Sequence, residues 1–482
     1  MGDLPVETQV LVLGDGPGGY AAAFRAADLG LDVTLVSTEA RIGGVCLLRG
    51  CIPSKALLHL AELSFSTREA AEMGLDFGLD GRGPRWRLEQ VRDWTNGIVE
   101  RLTDGLAELC ERRGIQRIRA RGSFAGPRRL LLANSDYSSV EFEHAIIATG
   151  SRPLAPPGIE LDPDARPSGR IMDSSGALAL TDLPRRLLVV GGGYVGLELG
   201  SVYAAAGSRV TLVEMADRLL PGADADLVRP LHDRLARLFD AIRLDTRVEG
   251  ADEDAEQVQV RLSGPDGDEQ ASFERVLVAI GRRPNSDDLG LDAAGVDTDD
   301  AGYIQVDAER RTSAGHIFAI GDVAGGPQLA HKAMYDGKIA ADVIAGRPAA
   351  FDARAVPAVI YTDPQIAWCG LTETDAEQQG IEVAVSRFPW RASGRALTMR
   401  ADAGFTKLVL APETGRVLGF GAVGRGAEGL VAEAMLAVEM GAPAEDLALG
   451  IHPHPTLSET LGEAAERFLG LPTHLAPSRK QS

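Results

Sequence analysis

Residues 43–55 read GGVCLLRGCIPSK, and two of the four cysteines in the chain, Cys46 and Cys51, lie within this stretch. Five residues of regular α-helix rise about 7.5 Å, whereas the Cα atoms of a disulfide lie at most about 7 Å apart. The two thiols could therefore be joined only across a distorted helix, and Gly50 and Pro53 are residue types that distort helices. The spacing leaves two interpretations open, a labile redox disulfide or two unrelated core thiols.

A glycine-rich turn precedes the cysteines and has the G-x-G-x-x-G pattern of dinucleotide-binding proteins. Its glycines are Gly14, Gly16 and Gly19. An aliphatic run lies before the turn, and an Ala-rich helical stretch and a second aliphatic run follow it (residues 9–13, 20–29 and 32–36). Because such glycines let the backbone approach a pyrophosphate at a helix N-terminus, this order predicts a bound dinucleotide.

Two residues depart from that pattern. The acid expected at the end of the second strand, where it would hold a ribose hydroxyl, is absent, and Ser37 stands there with Glu39 two residues later. Ser37 can still bind a ribose, although through a neutral and therefore weaker hydrogen bond. Asp15 lies inside the turn itself, where we expect a carboxylate to repel a pyrophosphate.

The same pattern occurs a second time, between aliphatic runs at 187–190 and 209–213. The glycines of this second turn are Gly191, Gly193 and Gly196. Here the strand-end acid is present as Glu214. A carboxylate in that place accepts a hydrogen bond from the ribose 2′-hydroxyl of NAD and repels the 2′-phosphate of NADP. Two complete units predict two nucleotide cofactors that exchange electrons.

Size and charge narrow the class of protein. The chain has 482 residues and a net charge of −20, which predicts about three or four domains and argues against nucleic acid or an anionic membrane as a partner. No apolar run is long enough to span a bilayer, and residues 1–10 lack the segments of a signal peptide, so we expect a cytoplasmic protein. In a reducing compartment a close cysteine pair favours redox chemistry.

The C-terminal third differs in character. From about residue 350, short alternating strands and two helices predict an α+β domain. His454 is followed five residues later by Glu459, a pairing that orients an imidazole and raises its basicity. A surface histidine is the alternative interpretation. A zinc site is disfavoured because the remaining cysteines, Cys110 and Cys369, lack ligand spacing, and we expect no metal.

A further acid lies in the predicted buried strand at 317–323 (IFAIGDV), which ends in Gly321 and Asp322. Asp322 stands at its carboxyl end, where α/β proteins bind ligands, and is a candidate acceptor for a ligand hydroxyl. A turn residue or helix cap is the other interpretation.

Together these motifs resemble the pyridine nucleotide-disulfide oxidoreductases, the flavoprotein disulfide reductases, over nearly the whole chain. The specific stretches are GGVCLLRGCIPSK, ATGSRP (148–153), GGGYVGLE (191–198), AIGRRPN (279–285), FAIGD (318–322), LAHKA (329–333) and HPHPTLSE (452–459). The resemblance implies an α/β fold with two Rossmann-like domains, for FAD and NAD, and a C-terminal α+β dimerisation domain. It implies an FAD domain at 1–150, an NAD domain at 151–281, a central domain completing the FAD site at 282–350 and an interface domain at 351–482.

The resemblance also assigns roles to residues. It implies that Cys46 and Cys51 form a redox disulfide, with Cys51 beside the flavin and Cys46 meeting the substrate. It implies that His454, held by Glu459, is a base acting on the disulfide of the other subunit of a homodimer. The FAD-binding residues that it implies include the glycines of the first turn. They are Gly14, Gly16, Gly19, Ser37, Gly44, Lys55, Gly122, Thr149, Gly150, Glu198, Asp322 and Ala330. Those for NAD are Gly191, Gly193, Gly196, Glu214, Val248 and Gly281.

The activity that the resemblance implies is oxidation of dihydrolipoyl groups by NAD. The expected partners are the lipoyl domains and acyltransferase core of 2-oxoacid dehydrogenase complexes, or a glycine cleavage system. Another NAD(P)H-dependent disulfide or quinone reductase of the same fold stays open, although Glu214 opposes an NADPH-dependent glutathione reductase. A non-catalytic binding protein is the alternative of a different class, and Ser37 is its only support.

Overall fold

The computed structural model describes residues 4–78, 83–159, 161 and 169–476. Within those ranges, no helix is both long enough and apolar enough to cross a membrane.

The first nucleotide unit is a sheet in the order β3–β2–β1–β6–β5–β4, parallel from β3 to β6 and antiparallel beyond it. Its strands are β1 (Leu4–Leu13), β2 (Val33–Ser37), β3 (Gln116–Arg119), β4 (Arg121–Gly126), β5 (Arg129–Ala133) and β6 (Tyr137–Ile147). Its helices are α1 (Pro17–Asp28), α2 (Gly44–Arg49), α3 (Cys51–Glu69) and α4 (Leu88–Arg112), with a 3-10 turn at Ala70–Met73. The predicted order of strand, turn, helix and strand is confirmed. Val10, Leu11 and Val12 of β1 are fully buried, as central parallel strands require.

The second unit repeats this plan with a five-stranded parallel sheet in the order β11–β10–β9–β15–β8, beside an antiparallel sheet β12–β13–β14 and a ribbon β16–β7. Its strands are β7 (Ser151–Pro153), β8 (Ile171–Met172), β9 (Arg186–Val190), β10 (Arg209–Val213), β11 (Ala241–Arg243), β12 (Arg247–Glu253), β13 (Val258–Gly264), β14 (Gly267–Phe273), β15 (Arg275–Val278) and β16 (Arg282–Pro284). Its helices are α5 (Ser174–Leu178), α6 (Tyr194–Ala206) and α7 (Ala225–Leu238). A short helix, α8 (Leu291–Ala294), follows and packs on the core of the first unit beside β4.

The chain then returns to the first sheet. Strand β17 (Ile317–Ala319) pairs in parallel with β6, and a 3-10 turn at Gly321–Ala324 follows it. Helix α9 (Ala330–Ile344) packs against α1 so closely that a Cβ on Gly337 would lie 2.6 Å from the carbonyl oxygen of Gly18. This return brings Asp322 to the same sheet edge as the first glycine turn.

The C-terminal region is an antiparallel sheet in the order β18–β19–β22–β21–β20 with helices on it. Its strands are β18 (Ala358–Ile360), β19 (Gln365–Gly370), β20 (Ala384–Pro389), β21 (Phe405–Leu410) and β22 (Val417–Gly424). Its helices are α10 (Glu373–Gln379), α11 (Gly394–Thr398), α12 (Val431–Met440), α13 (Ala444–Leu449) and α14 (Glu459–Leu469), with 3-10 turns at Trp390–Ala392 and Ala427–Leu430. The α+β class is confirmed, but the expectation of two helices is wrong in the described residues, because α10, α11 and α13 are too short to give a clear helical period.

An ionic cluster joins this C-terminal sheet to the second unit. Lys407 of β21 is 1% exposed, and its ammonium donates to Asp224 at 2.8 Å and to Asp226 and Glu373 at 2.7 Å. The three carboxylates lie close enough together to hold a metal ion, but the Lys407 ammonium already occupies the space that they face. We therefore interpret the cluster as a structural ion-pair network.

Candidate active site

The cysteine stretch forms two helices that break between the thiols. Helix α2 ends at Arg49, α3 begins at Cys51, and Cys46 and Cys51 form a disulfide with Cα atoms 4.8 Å apart. Gly50 lies at the break, where a Cβ would come within 2.8 Å of the Val45 carbonyl oxygen. The distortion predicted from the spacing is therefore a complete interruption of the helix.

A cavity of about 700 Å³ opens at the carboxyl ends of β1, β2, β6 and β17. The disulfide lies in its wall. Both cysteines and nearly all the expected FAD-site residues line it: Gly14, Gly16, Ser37, Gly44, Cys46, Cys51, Lys55, Gly122, Thr149, Gly150, Glu198, Asp322 and Ala330. Gly19 is the exception, because it packs α1 against the turn, where a Cβ would collide with the Gly14 carbonyl. The structure thus brings together residues from six separate stretches of sequence, at 14–16, 37–55, 122, 149–150, 198 and 322–330.

The glycine turns have the shape that a pyrophosphate needs. Gly14 has a φ of +108° and lies against the backbone of Ala148, so a side chain there would be strained and would collide. A Cβ on Gly16, or on Gly193 of the second turn, would meet no atom within 4 Å. This open side faces the cavity at the N-terminus of α1 or α6, where backbone N–H groups favour an anion.

The second cavity, of about 600 Å³, lies at the second turn. The expected NAD-site residues that line it are Gly191, Gly193, Glu214, Val248 and Gly281. Gly196 lies outside it and packs α6 against the turn. The Glu214 carboxylate accepts hydrogen bonds from the N–H of Gly192 at 2.6 Å and of Ala216 at 2.8 Å, so the acid is fixed in position at the end of β10.

The two cavities adjoin. The residues that line both of them are Ser174, Tyr194, Val195, Arg282 and Gln328. Loss of hydration at this junction raises the pKa of Tyr194 above its ordinary value. A ligand in the first cavity would therefore lie next to a ligand in the second.

Arg282 is a site residue that sequence reasoning missed. It donates to Ser151 Oγ at 2.7 Å and to the Ser151 carbonyl oxygen at 2.6 Å. Ser151 in turn donates to Asp322 Oδ2 at 2.5 Å, which leaves Asp322 Oδ1 available to accept from a ligand. The signal in the sequence was the echo of GSRP in GRRP, since these segments pair as β7 and β16.

Lys55 and Glu198 form an ion pair at the cavity wall. The Lys55 ammonium lies 2.9 Å from Glu198 Oε2, and Glu198 Oε1 accepts from the Tyr361 N–H at 2.9 Å. The Lys55 ammonium also lies 4.6 Å from the centre of the Tyr361 ring. No sequence motif pointed to Tyr361, which reaches the site from β18's C-terminal end.

His454 and Glu459 form the predicted pair. His454 Nδ1 lies 2.8 Å from Glu459 Oε1, and the Thr456 N–H donates to the other carboxylate oxygen at 2.7 Å. Burial alone would raise the pKa of Glu459, but these two contacts hold it below its ordinary value. His454 is 72% exposed and does not line the cavity with the disulfide. Within one chain, the structure leaves the base and the disulfide apart.

Comparisons with known proteins agree with this geometry. Residues 8–337 match the pyridine nucleotide-disulphide oxidoreductase family, and residues 356–465 match the dimerisation domain of that family. The dihydrolipoyl dehydrogenase of Halobacterium salinarum is 45% identical over 479 residues, covering 98% of this chain and 99% of that protein. The dihydrolipoyl dehydrogenase of Vibrio parahaemolyticus is 43% identical, with 98% of each chain covered.

Solved structures agree as well. LpdA from Mycobacterium tuberculosis superposes with a TM-score of 0.86 at 28% identity, covering 95% of this chain and 99% of that one. The HOCl-induced flavoprotein disulfide reductase RclA from Escherichia coli has a TM-score of 0.82 at 28% identity, with the same coverage.

Proposed function

We propose that this chain, which belongs to the pyridine nucleotide-disulphide oxidoreductase family, oxidises protein-bound dihydrolipoyl groups with NAD, the activity of a dihydrolipoyl dehydrogenase. The observation that carries the proposal is the Cys46–Cys51 disulfide in the wall of one nucleotide cavity, next to a second cavity that holds Glu214. Within the family, the choice of activity is supported by full-length relatives of that name at 45% and 43% identity.

The protein is an FAD- and NAD-dependent oxidoreductase. The first cavity fits FAD because Gly16 is open toward a pyrophosphate and Asp322 has one carboxylate oxygen left for a ribityl hydroxyl. The second cavity fits NAD because Glu214 is fixed at the end of β10, the position from which a carboxylate accepts from a ribose 2′-hydroxyl in dinucleotide-binding units. The chemistry that bound FAD supplies is the transfer of an electron pair between a dithiol and a nicotinamide.

The two cysteines carry the exchange with substrate. A substrate thiolate attacks Cys46, which breaks the Cys46–Cys51 bond, forms a mixed disulfide and releases Cys51 as a thiolate. The second substrate thiolate then attacks the substrate sulfur of that mixed disulfide, which releases the oxidised lipoyl group and leaves Cys46 reduced. Lys55 lies four residues after Cys51 on α3 and therefore on the same helix face, where its positive charge stabilises the thiolate.

His454 of the second subunit is the proposed base. Its Nδ1 is engaged by Glu459, so Nε2 is the nitrogen left to accept the proton of the attacking substrate thiol. High exposure of His454 suits a residue that must reach another subunit, and it lies within the 356–465 match to the family's dimerisation domain. We therefore propose a homodimer whose active sites are each completed by the partner.

The domain division follows the same proposal, with boundaries at 1–150, 151–281, 282–350 and 351–482. Separate sheets in the first, second and last ranges support it, and β17 of the third range joins the first sheet, as a segment completing the FAD site would. The proposed partners are lipoyl domains and the acyltransferase core of a 2-oxoacid dehydrogenase complex. A cytoplasmic location fits a dithiol cycle that needs a thiol-preserving compartment.

Steady-state kinetics test this function. The holoenzyme should reduce NAD with dihydrolipoamide, and kcat/KM should exceed that for NADH-driven reduction of glutathione disulfide or quinones by at least about a hundredfold. A preference for glutathione disulfide or a quinone would assign the protein to another activity of the same fold. A protein that binds FAD but turns over none of these substrates would support a non-catalytic role.

A further inference from the structure

The first nucleotide unit lacks the strand-end carboxylate of the second, and the structure offers a replacement. Ser37 stands at the end of β2, and Glu39 is held by Arg49 in a 2.5 Å ion pair. We propose that Asp15, inside the glycine turn, accepts the adenosine ribose hydroxyl of FAD in place of an acid at position 37. This rests on the proposed function only in taking FAD as the nucleotide of the first unit.

The second unit shows where a side chain in the middle of G-x-G points. The middle residue there is Gly192, and a Cβ built on it would lie 3.1 Å from Glu214 Oε2 and 2.7 Å from the Leu219 side chain. The Gly192 N–H donates to the same Glu214 oxygen. A side chain at this position of the turn therefore projects into the space that the strand-end carboxylate fills. Asp15 holds the equivalent position in the first turn.

The two units fill this pair of positions in opposite ways. The second combines Gly192 in the turn with Glu214 at the strand end, and the first combines Asp15 with Ser37. In the second unit, Leu219 and Glu214 crowd the place that a side chain in the turn would take, whereas the first unit has the shorter Ser37 at its strand end. Each unit thus has one carboxylate at the ribose, supplied from a different place in the sequence.

Asp15 has the surroundings of a ligand-binding acid. The Gly14 N–H donates to the Val36 carbonyl oxygen at 2.8 Å, which ties the turn to the end of β2 beside Ser37. Asp15 is 3% exposed, and among the described residues its Oδ2 has no hydrogen-bond partner. It lines the large cavity and also a recess of about 230 Å³ that it shares with Ser37. Because an unpaired buried carboxylate oxygen is costly, a ligand hydroxyl is its natural partner.

The charge of Asp15 suits this role. The pKa of Asp15 is raised to about 6. Burial is the main cause, the Ser37 hydroxyl acts in the opposite direction, and the negative charge of the nearby Glu39 adds to the increase. The carboxylate is therefore ionised at neutral pH, and a hydroxyl donating to it forms a stronger bond than one donating to Ser37. The repulsion expected between Asp15 and a pyrophosphate is reduced because the side chain leads toward β2, whereas the pyrophosphate side of the turn lies at Gly16.

The test is the dissociation constant of FAD from the full-length apoprotein, measured by flavin fluorescence. Asp15→Asn should raise this constant about tenfold to a hundredfold, the loss expected for a hydrogen bond to a charged group. Glu141→Gln changes an exposed acid of β6 that lines neither the large cavity nor the recess, and it is the matched control, which should change the constant less than about twofold. An Asp15→Asn protein that binds FAD within about twofold of the parent would overturn the inference.

A rescue experiment separates the ribose contact from general damage. Ser37→Glu alone should weaken FAD binding, because two carboxylates then share one recess. The double variant Asp15→Gly with Ser37→Glu copies the second unit and should restore the parent's affinity to within about threefold. A double variant that binds FAD no better than Asp15→Gly alone would contradict the exchange of positions.

A ligand-side measurement does not depend on any variant folding. The parent apoprotein should bind an FAD analogue that lacks the adenosine 2′-hydroxyl about tenfold more weakly than FAD, and equal affinity would refute the contact. These assays measure FAD binding and contain no lipoyl substrate. A protein that binds FAD as expected here but does not oxidise dihydrolipoamide would therefore contradict the proposed function and leave the role of Asp15 intact.

Discussion

The Lys55 ammonium lies 2.9 Å from Oε2 of Glu198, a carboxylate that is only 3% exposed. This ion pair joins α3, which begins at Cys51, to α6 of the second nucleotide unit. Glu198 also accepts a hydrogen bond from the N–H of Tyr361, the residue after β18. The ammonium is therefore held in place where α3, α6 and the end of β18 meet. The redox disulfide thus has a fixed positive charge one helical turn away.

Replacing Lys55 with methionine should make the Cys51 thiolate form less readily in the reduced enzyme. A thiolate without its cationic neighbour forms only at higher pH. In the NADH-reduced protein, the long-wavelength absorbance band should reach half its height at a higher pH than in the parent. Lys338, an exposed lysine on α9, gives the control variant Lys338→Met, whose band should be unchanged. Equal midpoints for Lys55→Met and the parent would remove Lys55 from this role.

Cys46→Ser should abolish turnover of dihydrolipoamide, because the mixed disulfide with substrate can no longer form. The Cys51 thiolate should remain beside the flavin, so the isolated variant should show the long-wavelength band without added NADH. Rates of dihydrolipoamide oxidation check the loss of turnover, and absorbance spectra check the persistence of the band. Measurable turnover in Cys46→Ser would mean that substrate attacks Cys51 instead.

His454→Gln should lower dihydrolipoamide oxidation by about a hundredfold or more, the usual size of general base catalysis. FAD content should not change, because His454 lies outside the FAD cavity. The chain offers a matched control in His474, which forms a similar histidine–carboxylate pair with Glu463. His474→Gln should leave the rate within about twofold of the parent. A small effect of His454→Gln on kcat would place the base elsewhere.

Glu214→Ala should erode the preference for NAD over NADP. Its carboxylate is fixed by Gly192 and Ala216. In the proposed role it binds the ribose and repels the 2′-phosphate, so the ratio of kcat/KM values should fall about tenfold or more. Glu249 is an exposed acid lining the same cavity, and Glu249→Ala is the control for a general change in charge. An unchanged ratio in Glu214→Ala would assign cofactor choice to other residues.

The parts of the site that depend on local rules could be predicted from the sequence. The glycine turns, Glu214 and the helix break at Gly50 each follow from a few adjacent residues whose geometry allows one solution. Arg282 and Tyr361 could not be found in this way, because their roles arise only when distant segments meet at the cavity. Ser37 was predicted as a weak ribose ligand, and only comparison of the two folded turns points to Asp15.

The Lys407 cluster is a second feature that the sequence does not reveal. Its members lie on α7, α10, β21 and the residue before α7, up to 183 positions apart. Charged residues this far apart carry no sequence period, and their pairing depends on how the C-terminal sheet packs on the second unit. From the sequence alone, these acids would be expected on the solvent-exposed surface.

Lys407→Met should destabilise the protein by about 3–5 kcal/mol, because it leaves the buried Asp224 carboxylate without a cation. Asp226 and Glu373 keep their ion pairs with Arg387. The unfolding midpoint in urea should fall accordingly, with FAD saturating in both samples. Arg209→Ala, which removes an exposed ion pair with Asp240, should cost less than about 1 kcal/mol. A Lys407→Met protein as stable as the Arg209→Ala control would show that the cluster contributes little.

The stability contributed by this cluster should also depend on pH. Burial alone would raise the pKa of Asp224, but hydrogen bonds from Lys407, Thr374 and Glu373 lower it from 3.8 to about 2. Because the folded-state pKa lies below the unfolded one, the contribution is present above about pH 4 and is lost as the pH falls toward about 2. The difference in unfolding midpoint between the parent and Lys407→Met should therefore narrow from about pH 5 to about pH 3. A constant difference across that range would mean that Lys407 does not shift the pKa of Asp224, and Lys407 would then be paired chiefly with Asp226 and Glu373.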